Sequence, residues 1–357
     1  MNIINKINDI FIIMSTNEML NKFPLDVETI DISFRNLNVL PDLSRFTKLK
    51  ELNCSFNNLT SIKLLNSLQK INCSHNQLAM LPPLNDSLLE LCCLNNKLTS
   101  LPPLNNSLRE LNCAENQLTS LPPLNDSLQE LYCSYNKLTS LPPLNDSLQE
   151  LYCYHNQLTS LPPLNSSLNK LYCSNNQLTS LPPFNDSLEK ICCNYNHLTL
   201  LPPLNDSLEE LQCSHNKLSS LPPLNNLRTL LCYNNKLTSL PFIPHSLEKI
   251  VCSNNEINYL PNLHSELYLS CLNNPILKIV YNNERNDENE IFDNLNKLTQ
   301  FREFYFLSKL QKKFISWLWK SREKKIQERF DPKYLYEVIK KNENNPNFIL
   351  DDFLENW

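Results

Sequence analysis

The sequence of 357 residues contains no glycine. Its absence excludes the glycine-dependent Walker and dinucleotide-binding fingerprints. No stretch approaches the ~20 apolar residues of a membrane-spanning helix. The apolar run at residues 10–14 is shorter than a signal-peptide core, and no small-residue cleavage site follows it. These absences predict a cytoplasmic protein. Asn-x-Ser triplets, as at Asn125, would invite glycosylation in a secreted protein, but here they are interpreted as turn chemistry.

The net charge of −5 is small for this length and removes any whole-protein argument for nucleic acid or an anionic membrane as the main partner. No catalytic Ser, His and Asp trio is evident. The histidines His75, His155 and His215 lie too many units apart to share a metal ion. We therefore expect a protein that is not an enzyme and that has no metal or other cofactor.

Cysteine is abundant, with fourteen residues. Twelve of them fall 19 or 20 residues apart and mark one position of a repeat: Cys54, Cys73, Cys93, Cys113, Cys133, Cys153, Cys173, Cys193, Cys213, Cys232, Cys252 and Cys271. Equivalent side chains on neighbouring parallel strands lie ~4.8 Å apart and point the wrong way for disulfides. We expect small buried hydrophobic groups in a reducing compartment. Cys92 and Cys192 fall outside this row.

Aligned on the cysteines, each unit has the pattern L-x-x-L-x-C-x-x-N-x-L-x-x-L-P-P-L-N-x-S. This pattern resembles the leucine-rich repeat signature over residues 25–277, in about thirteen units, of which the first carries Arg35 in place of the Asn. The "LTSLP" that recurs in the array, as at residues 118–122, is similar to the short repeats of secreted bacterial effectors. The resemblance implies an α/β repeat fold: a leucine-rich repeat solenoid with one short parallel strand per unit and an extended convex side. Such effectors often continue into a ubiquitin ligase with a catalytic cysteine, yet no cysteine follows Cys271.

Alternation along the strand predicts that Leu131 and Cys133 face the core, whereas Glu130, Tyr132 and Ser134 face the concave surface. The Asn of each unit, such as Asn136, is expected to be buried and to bond backbone groups at the turn. Pro-Pro suits an extended return segment because proline fixes φ and lacks an N–H donor. Asn also adopts positive φ at modest cost, so Asn is expected to replace glycine.

Tyrosine and histidine concentrate on the outward positions of the middle units. Tyrosine is typical of protein-binding surfaces because it offers a large contact area at little entropic cost. The alternative is that tyrosine is a good strand residue multiplied by duplication. Glu130 and Glu150 are followed by Lys170, Lys190 and Glu210, which suits a partner of mixed charge. The predicted partner contacts are Tyr132, Tyr135, Tyr152, Tyr154, His155, Tyr172 and Tyr195.

Beyond the array we predict an acidic, Asn-rich connector at residues 278–300 and a small α-helical C-terminal module at 301–357; residues 1–24 form an N-terminal cap region. Basic and aromatic residues of the module are possible contacts: Lys312, Lys313, Trp317, Trp319 and Lys320. The module is similar to one in proteins of mimivirus-type giant DNA viruses, which implies a viral leucine-rich repeat protein in host cytoplasm. It would cap the solenoid, dock another protein, or bind anionic lipid or nucleic acid.

The function expected from these patterns is a non-catalytic scaffold that binds an unidentified host or viral protein on its concave face. The alternative is a structural spacer whose basic C-terminal helix binds nucleic acid or an anionic membrane. The oligomeric state is left open.

Overall fold

The computed structural model describes residues 18–264, 266–276 and 340. Most of the predicted N-terminal cap region, the connector at 278–300 and the helical module at 301–357 lie outside these residues, apart from Lys340. The possible tail contacts also lie outside: Lys312, Lys313, Trp317, Trp319 and Lys320. The account that follows concerns the repeat array.

The array contains thirteen strands of three residues each, which form one sheet in chain order. Every strand pairs in parallel with its neighbours in sequence, as a solenoid requires. The strands are β1 (Thr29–Asp31), β2 (Glu51–Asn53), β3 (Lys70–Asn72), β4 (Glu90–Cys92), β5 (Glu110–Asn112), β6 (Glu130–Tyr132), β7 (Glu150–Tyr152), β8 (Lys170–Tyr172), β9 (Lys190–Cys192), β10 (Glu210–Gln212), β11 (Thr229–Leu231), β12 (Lys249–Val251) and β13 (Tyr268–Ser270).

The register places equivalent repeat positions directly beside one another. Leu131 on β6 pairs with Leu111 on β5 and with Leu151 on β7. Each repeat position therefore forms a straight row of side chains along the solenoid, at the ~4.8 Å spacing of neighbouring strands. The predicted leucine-rich repeat solenoid with one short parallel strand per unit is confirmed.

The inward rows form the core. Leu128, Leu131, Cys133 and Leu138 have no solvent exposure. All fourteen cysteines are free thiols, and the twelve in the repeat row are buried. Burial raises the pKa of Cys113 to about 12 and raises the pKa of Cys133 well above its usual value. The cysteine row is thus a stack of small neutral hydrophobic groups, as the spacing predicted.

The repeat Asn closes the turn after the strand in every unit but the first. Asn136 donates through Nδ2 to the carbonyl oxygens of Cys113, Cys133 and Ser134 at 3.0, 3.1 and 3.2 Å. Its Oδ1 accepts a 2.9 Å hydrogen bond from the Leu118 N–H. One side chain thereby bonds four backbone groups around the bend, which confirms the predicted structural role.

The convex side returns without regular secondary structure, and each return segment ends in a tight turn. Asn125, the first residue of an Asn-x-Ser triplet, donates through Nδ2 to the carbonyl oxygens of Leu108 at 2.8 Å and Asn106 at 3.3 Å. Its side chain is almost fully buried. These hydrogen bonds connect one turn to the preceding one, so the Asn of the triplet stabilises the turns.

Candidate functional site

Three tyrosines on consecutive strands form a stacked row, here called the tyrosine ladder: Tyr132, Tyr152 and Tyr172. The ring centroids of Tyr132 and Tyr152 lie 4.6 Å apart with planes inclined by 17°. Those of Tyr152 and Tyr172 lie 4.5 Å apart with planes inclined by 5°. The parallel register causes this stacking, because it sets equivalent residues side by side at a distance close to ring contact.

The ladder occupies the last residue of β6, β7 and β8. Tyr132 Oη donates to Glu130 Oε2 at 2.6 Å, and Tyr152 Oη donates to Glu150 Oε2 at 2.9 Å. Burial, followed by this hydrogen bond to a carboxylate, raises the pKa of both tyrosines. The hydroxyls are therefore neutral donors, and the carboxylates keep further acceptor capacity.

The second aromatic group lies in the row two residues after each Cys, here called the rim row. Tyr135 stacks on His155 at 4.2 Å, and the edge of Tyr154 meets Tyr135 at 5.4 Å. Tyr195 stacks on His215 at 3.9 Å. The rings at Tyr135 and Tyr195 remain 46% and 48% exposed.

The seven predicted contacts thus divide into three groups on one face. The first is the ladder, and the second is the cluster of Tyr135, Tyr154 and His155. The third is Tyr195, which lies three units from Tyr135, or roughly 14 Å by strand spacing, with Asn175 between them in the row.

The rim row has a left-handed backbone in every unit. The φ angles of Tyr135, His155, Tyr195 and His215 are 53°, 54°, 54° and 54°. Positive φ is unusual for bulky residues and disfavoured by about 1–2 kcal/mol. Other units place Asn here: Asn95, Asn175, Asn234, Asn254 and Asn273.

The prediction that Asn replaces glycine holds in those units only. It is wrong for the Tyr, His, Phe and Glu units, because backbone bonds between units impose the left-handed conformation whatever the side chain. Tyr135 N–H, for example, donates to the Tyr154 carbonyl oxygen at 2.9 Å.

A further aromatic stack occupies the first three units of the rim row. Phe34 stacks on Phe56 at 4.3 Å, and Phe56 stacks on His75 at 4.1 Å. Phe34 is 70% exposed. The sequence prediction omitted this stack, although its signal is present: these three residues share the column that contains Tyr135 and Tyr195.

Ser134, predicted to face the concave surface, is covered by its neighbours and only 1% exposed. The next unit places Tyr154 at the equivalent position, and that ring tilts edge-on toward Tyr135. Burial at this position does not depend on that ring, since the equivalent Ser55 and Ser74 are also buried and are followed in the next unit by Ser and Leu.

The row at the start of the strands carries the charge of this face. Lys70 pairs with Glu90 at 2.7 Å and Lys170 pairs with Glu150 at 2.6 Å. Between these pairs lie Glu110 and Glu130, for which the described part of the chain provides no ion pair. Burial, then the charges of Glu130 and Glu90, raise the pKa of Glu110.

Lys190 and Glu210 follow further along the same row, 3.6 Å apart. The predicted change of sign is therefore present, with an acidic centre between two neutralised ends.

Cys92 and Cys192 are half-buried and lie outside the buried cysteine row. Cys192 Sγ lies 3.1 Å from Ser174 Oγ and 3.3 Å from Gln212 Oε1, and burial raises the pKa of both Cys92 and Cys192. Within residues 18–264 and 266–276, no three His, Cys, Asp or Glu side chains are grouped to hold a metal ion. The same part of the chain has no helix with the length and apolarity needed to cross a bilayer.

Comparison with known proteins agrees with this geometry. The family described as "Leucine Rich repeats (2 copies)" matches residues 106–146, 126–166, 146–186 and 206–245. The leucine-rich effector protein YopM from Yersinia pestis is 34% identical, with a TM-score of 0.64, over 71% of this chain and 79% of that one. A search of curated protein sequences found no match.

Two further structures are similar. YopM from Yersinia enterocolitica is 32% identical with a TM-score of 0.63; the match covers 71% of this chain and spans 61% of the length of that protein. A leucine-rich repeat protein from Leptospira interrogans, 24% identical with a TM-score of 0.52 over 72% of this chain and 87% of that one, shares the fold.

Proposed function

Because this chain belongs to the leucine-rich repeat proteins, we propose that it is a non-catalytic scaffold that binds a protein partner on its concave, tyrosine-rich face. Proteins of this fold typically serve as interaction scaffolds, and their concave surfaces are extended. The proposed contacts are Tyr132, Tyr135, Tyr152, Tyr154, His155, Tyr172 and Tyr195.

The observation that carries the proposal is the exposure of aromatic side chains at left-handed positions. Tyr135 and Tyr195 adopt φ of 53° and 54°. Asn175 adopts the same backbone conformation in its unit, and Asn does so with less steric strain than Tyr. Strained residues that another residue type would relieve are concentrated at functional sites. An exposed aromatic ring at such a position contributes more to a partner contact than to the fold.

Duplication explains this row poorly. Copying a unit multiplies every position alike, and the inward Leu and Cys rows are nearly uniform. The rim row instead varies between Phe, His, Asn, Glu and Tyr along the array. Variation confined to outward rows is what a binding surface on a constant scaffold requires.

Site-specific photocrosslinking in reducing cell lysate tests the proposal. Benzoylphenylalanine replaces Tyr152 in one full-length protein and Tyr135 in another, and replaces the exposed Ser140 in a control. We expect one discrete protein to be crosslinked from both concave positions and not from Ser140. Crosslinking that is equal at all three positions, or that occurs at Ser140 alone, would overturn the concave-face proposal.

We propose a reducing cytoplasm as the setting, supported by the fourteen free cysteines. A giant-virus source and a host cytoplasm remain part of this proposal. The alternative, a spacer whose basic C-terminal helix binds nucleic acid or an anionic membrane, stays a prediction.

A further inference from the structure

We propose that the head of the tyrosine ladder is a binding notch for an arginine side chain of the partner, formed by Glu110, Asn112, Glu130 and Tyr132. This inference rests on the proposed function, since it names the chemistry that the concave face recognises. The argument uses one aromatic ring and two carboxylates that adjacent strands bring together.

Tyr132 is the first ring of the ladder, so its two faces differ. One face stacks on Tyr152 at 4.6 Å. The other faces the preceding unit, where the same row contains the small Asn112 in register on β5. A planar cationic group beside Asn112 would lie over this face, which carries the negative part of the ring quadrupole.

Two carboxylates flank the same place. Glu110 and Glu130 are direct neighbours across β5 and β6, and Glu90 and Glu150 extend the row on either side. Carboxylates directly opposite one another repel. Lys70 and Lys170 neutralise the outer two, at 2.7 and 2.6 Å.

Within the described array, Glu110 and Glu130 form no ion pair with a Lys or Arg. At this site Glu130 accepts one hydrogen bond, from the Tyr132 hydroxyl. The raised pKa of Glu110 agrees with repulsion between the carboxylates, after the larger effect of burial.

Arginine fits this arrangement better than lysine. Its planar guanidinium donates from several N–H groups at once and stacks on an aromatic face, whereas an ammonium is a compact point charge. In this notch one guanidinium would donate to Glu110 and Glu130 while covering the free face of Tyr132. The ladder then positions the ring, because Tyr152 and the Glu130 carboxylate hold it from behind and from the side.

Fluorescence anisotropy on the full-length protein tests the notch with labelled twelve-residue peptides. The probe alternates Arg with Ser, and its two controls carry Lys or the neutral isostere citrulline in place of Arg. We expect the citrulline peptide to bind about tenfold more weakly and the Lys peptide to bind several-fold more weakly. Equal binding of the Arg and citrulline peptides would overturn the proposal.

Matched variants locate the binding. The double variant Glu110→Gln, Glu130→Gln is expected to bind the Arg peptide about tenfold more weakly. Glu189→Gln with Glu209→Gln removes the same two charges from an exposed flank and should change affinity less than about twofold. Tyr132→Asn, the residue already present at Asn112, should abolish the preference for Arg over Lys. Equal losses in the two double variants would show that only net charge acts.

A charge reversal provides an independent measurement. Glu130→Lys places an ammonium between Glu110 and Glu150, in the same relation to its neighbours as Lys170 has to Glu150. We expect it to raise the melting temperature and abolish binding of the Arg peptide; unchanged binding would overturn the notch. If photocrosslinking at Tyr152 persists in the Glu110→Gln, Glu130→Gln variant, the concave-face function stands and the arginine notch is wrong for that partner.

Discussion

His155 stacks on Tyr135 with ring centroids 4.2 Å apart, and both residues adopt a left-handed backbone, with φ of 54° and 53°. The contact joins two units of the solenoid at a position whose positive φ is unfavourable for Tyr. The stack offsets part of the free-energy cost of the left-handed backbone, since an offset aromatic pair contributes about 0.5–1.5 kcal/mol.

Tyr135→Asn should leave the free energy of unfolding within about 1 kcal/mol of the parent, because Asn relieves the left-handed strain while the stack is lost. Tyr135→Val should lower it by about 2 kcal/mol, since a β-branched residue is a poor fit to positive φ. Urea denaturation followed by circular dichroism measures both. Identical midpoints for the two variants would contradict the strain argument.

The cysteine row should make the fold unstable at high pH. Burial raises the pKa of Cys54, Cys113 and Cys213 to about 12, and the same effect acts throughout the buried row. Above about pH 8.5 the unfolded chain loses thiol protons that the folded chain retains, so the unfolded state is favoured as pH rises. Each such cysteine lowers stability by about 1.4 kcal/mol per pH unit in that range.

With twelve buried cysteines, urea midpoints measured in reducing buffer should fall steeply between pH 8.5 and 10. Cys133→Ala is the matched test, because it removes one titrating group. Its stability is lower at neutral pH, but the decrease with pH should be shallower by about 1.4 kcal/mol per pH unit. A slope equal to that of the parent would contradict the linkage.

Only Cys92 and Cys192 should react quickly with a thiol reagent in the folded protein, since they alone among the fourteen cysteines are not buried. Dithionitrobenzoate should titrate two thiols in the folded protein and fourteen in urea, and the folded-state rate should increase with pH because the pKa of both is raised. Replacing both by Asn, as at Asn72 and Asn112, should leave no fast phase.

Asn136→Ala should destabilise the array by about 2 kcal/mol, because the buried Leu118 N–H loses its acceptor and three carbonyl groups each lose one of their two donors. Gln157→Ala, an exposed change one unit further along, should alter stability by less than about 0.5 kcal/mol. Thermal denaturation compares the two. Similar losses would mean that the Asn row contributes little beyond its neighbours.

The inward rows were predictable because they depend on the chain alone. Leu131, Cys133 and Asn136 recur with a period of 20, and a buried residue in one unit is buried in the next when units stack. The candidate site was predictable in composition only. The sequence indicated a concentration of tyrosine on one face, but Phe34 and Phe56 were overlooked and Ser134 is buried.

The sequence by itself determined the solenoid, its strand register, the cysteine core and the asparagine turns, since repetition gives each unit the same local environment. Only the tertiary structure decided which outward side chains touch, as in the Tyr132–Tyr152 stack and the Lys170–Glu150 pair. It also decided that Tyr135 must adopt positive φ. The physical reason is that these features arise between units, where backbone bonds and neighbouring side chains set conformations that no single unit specifies.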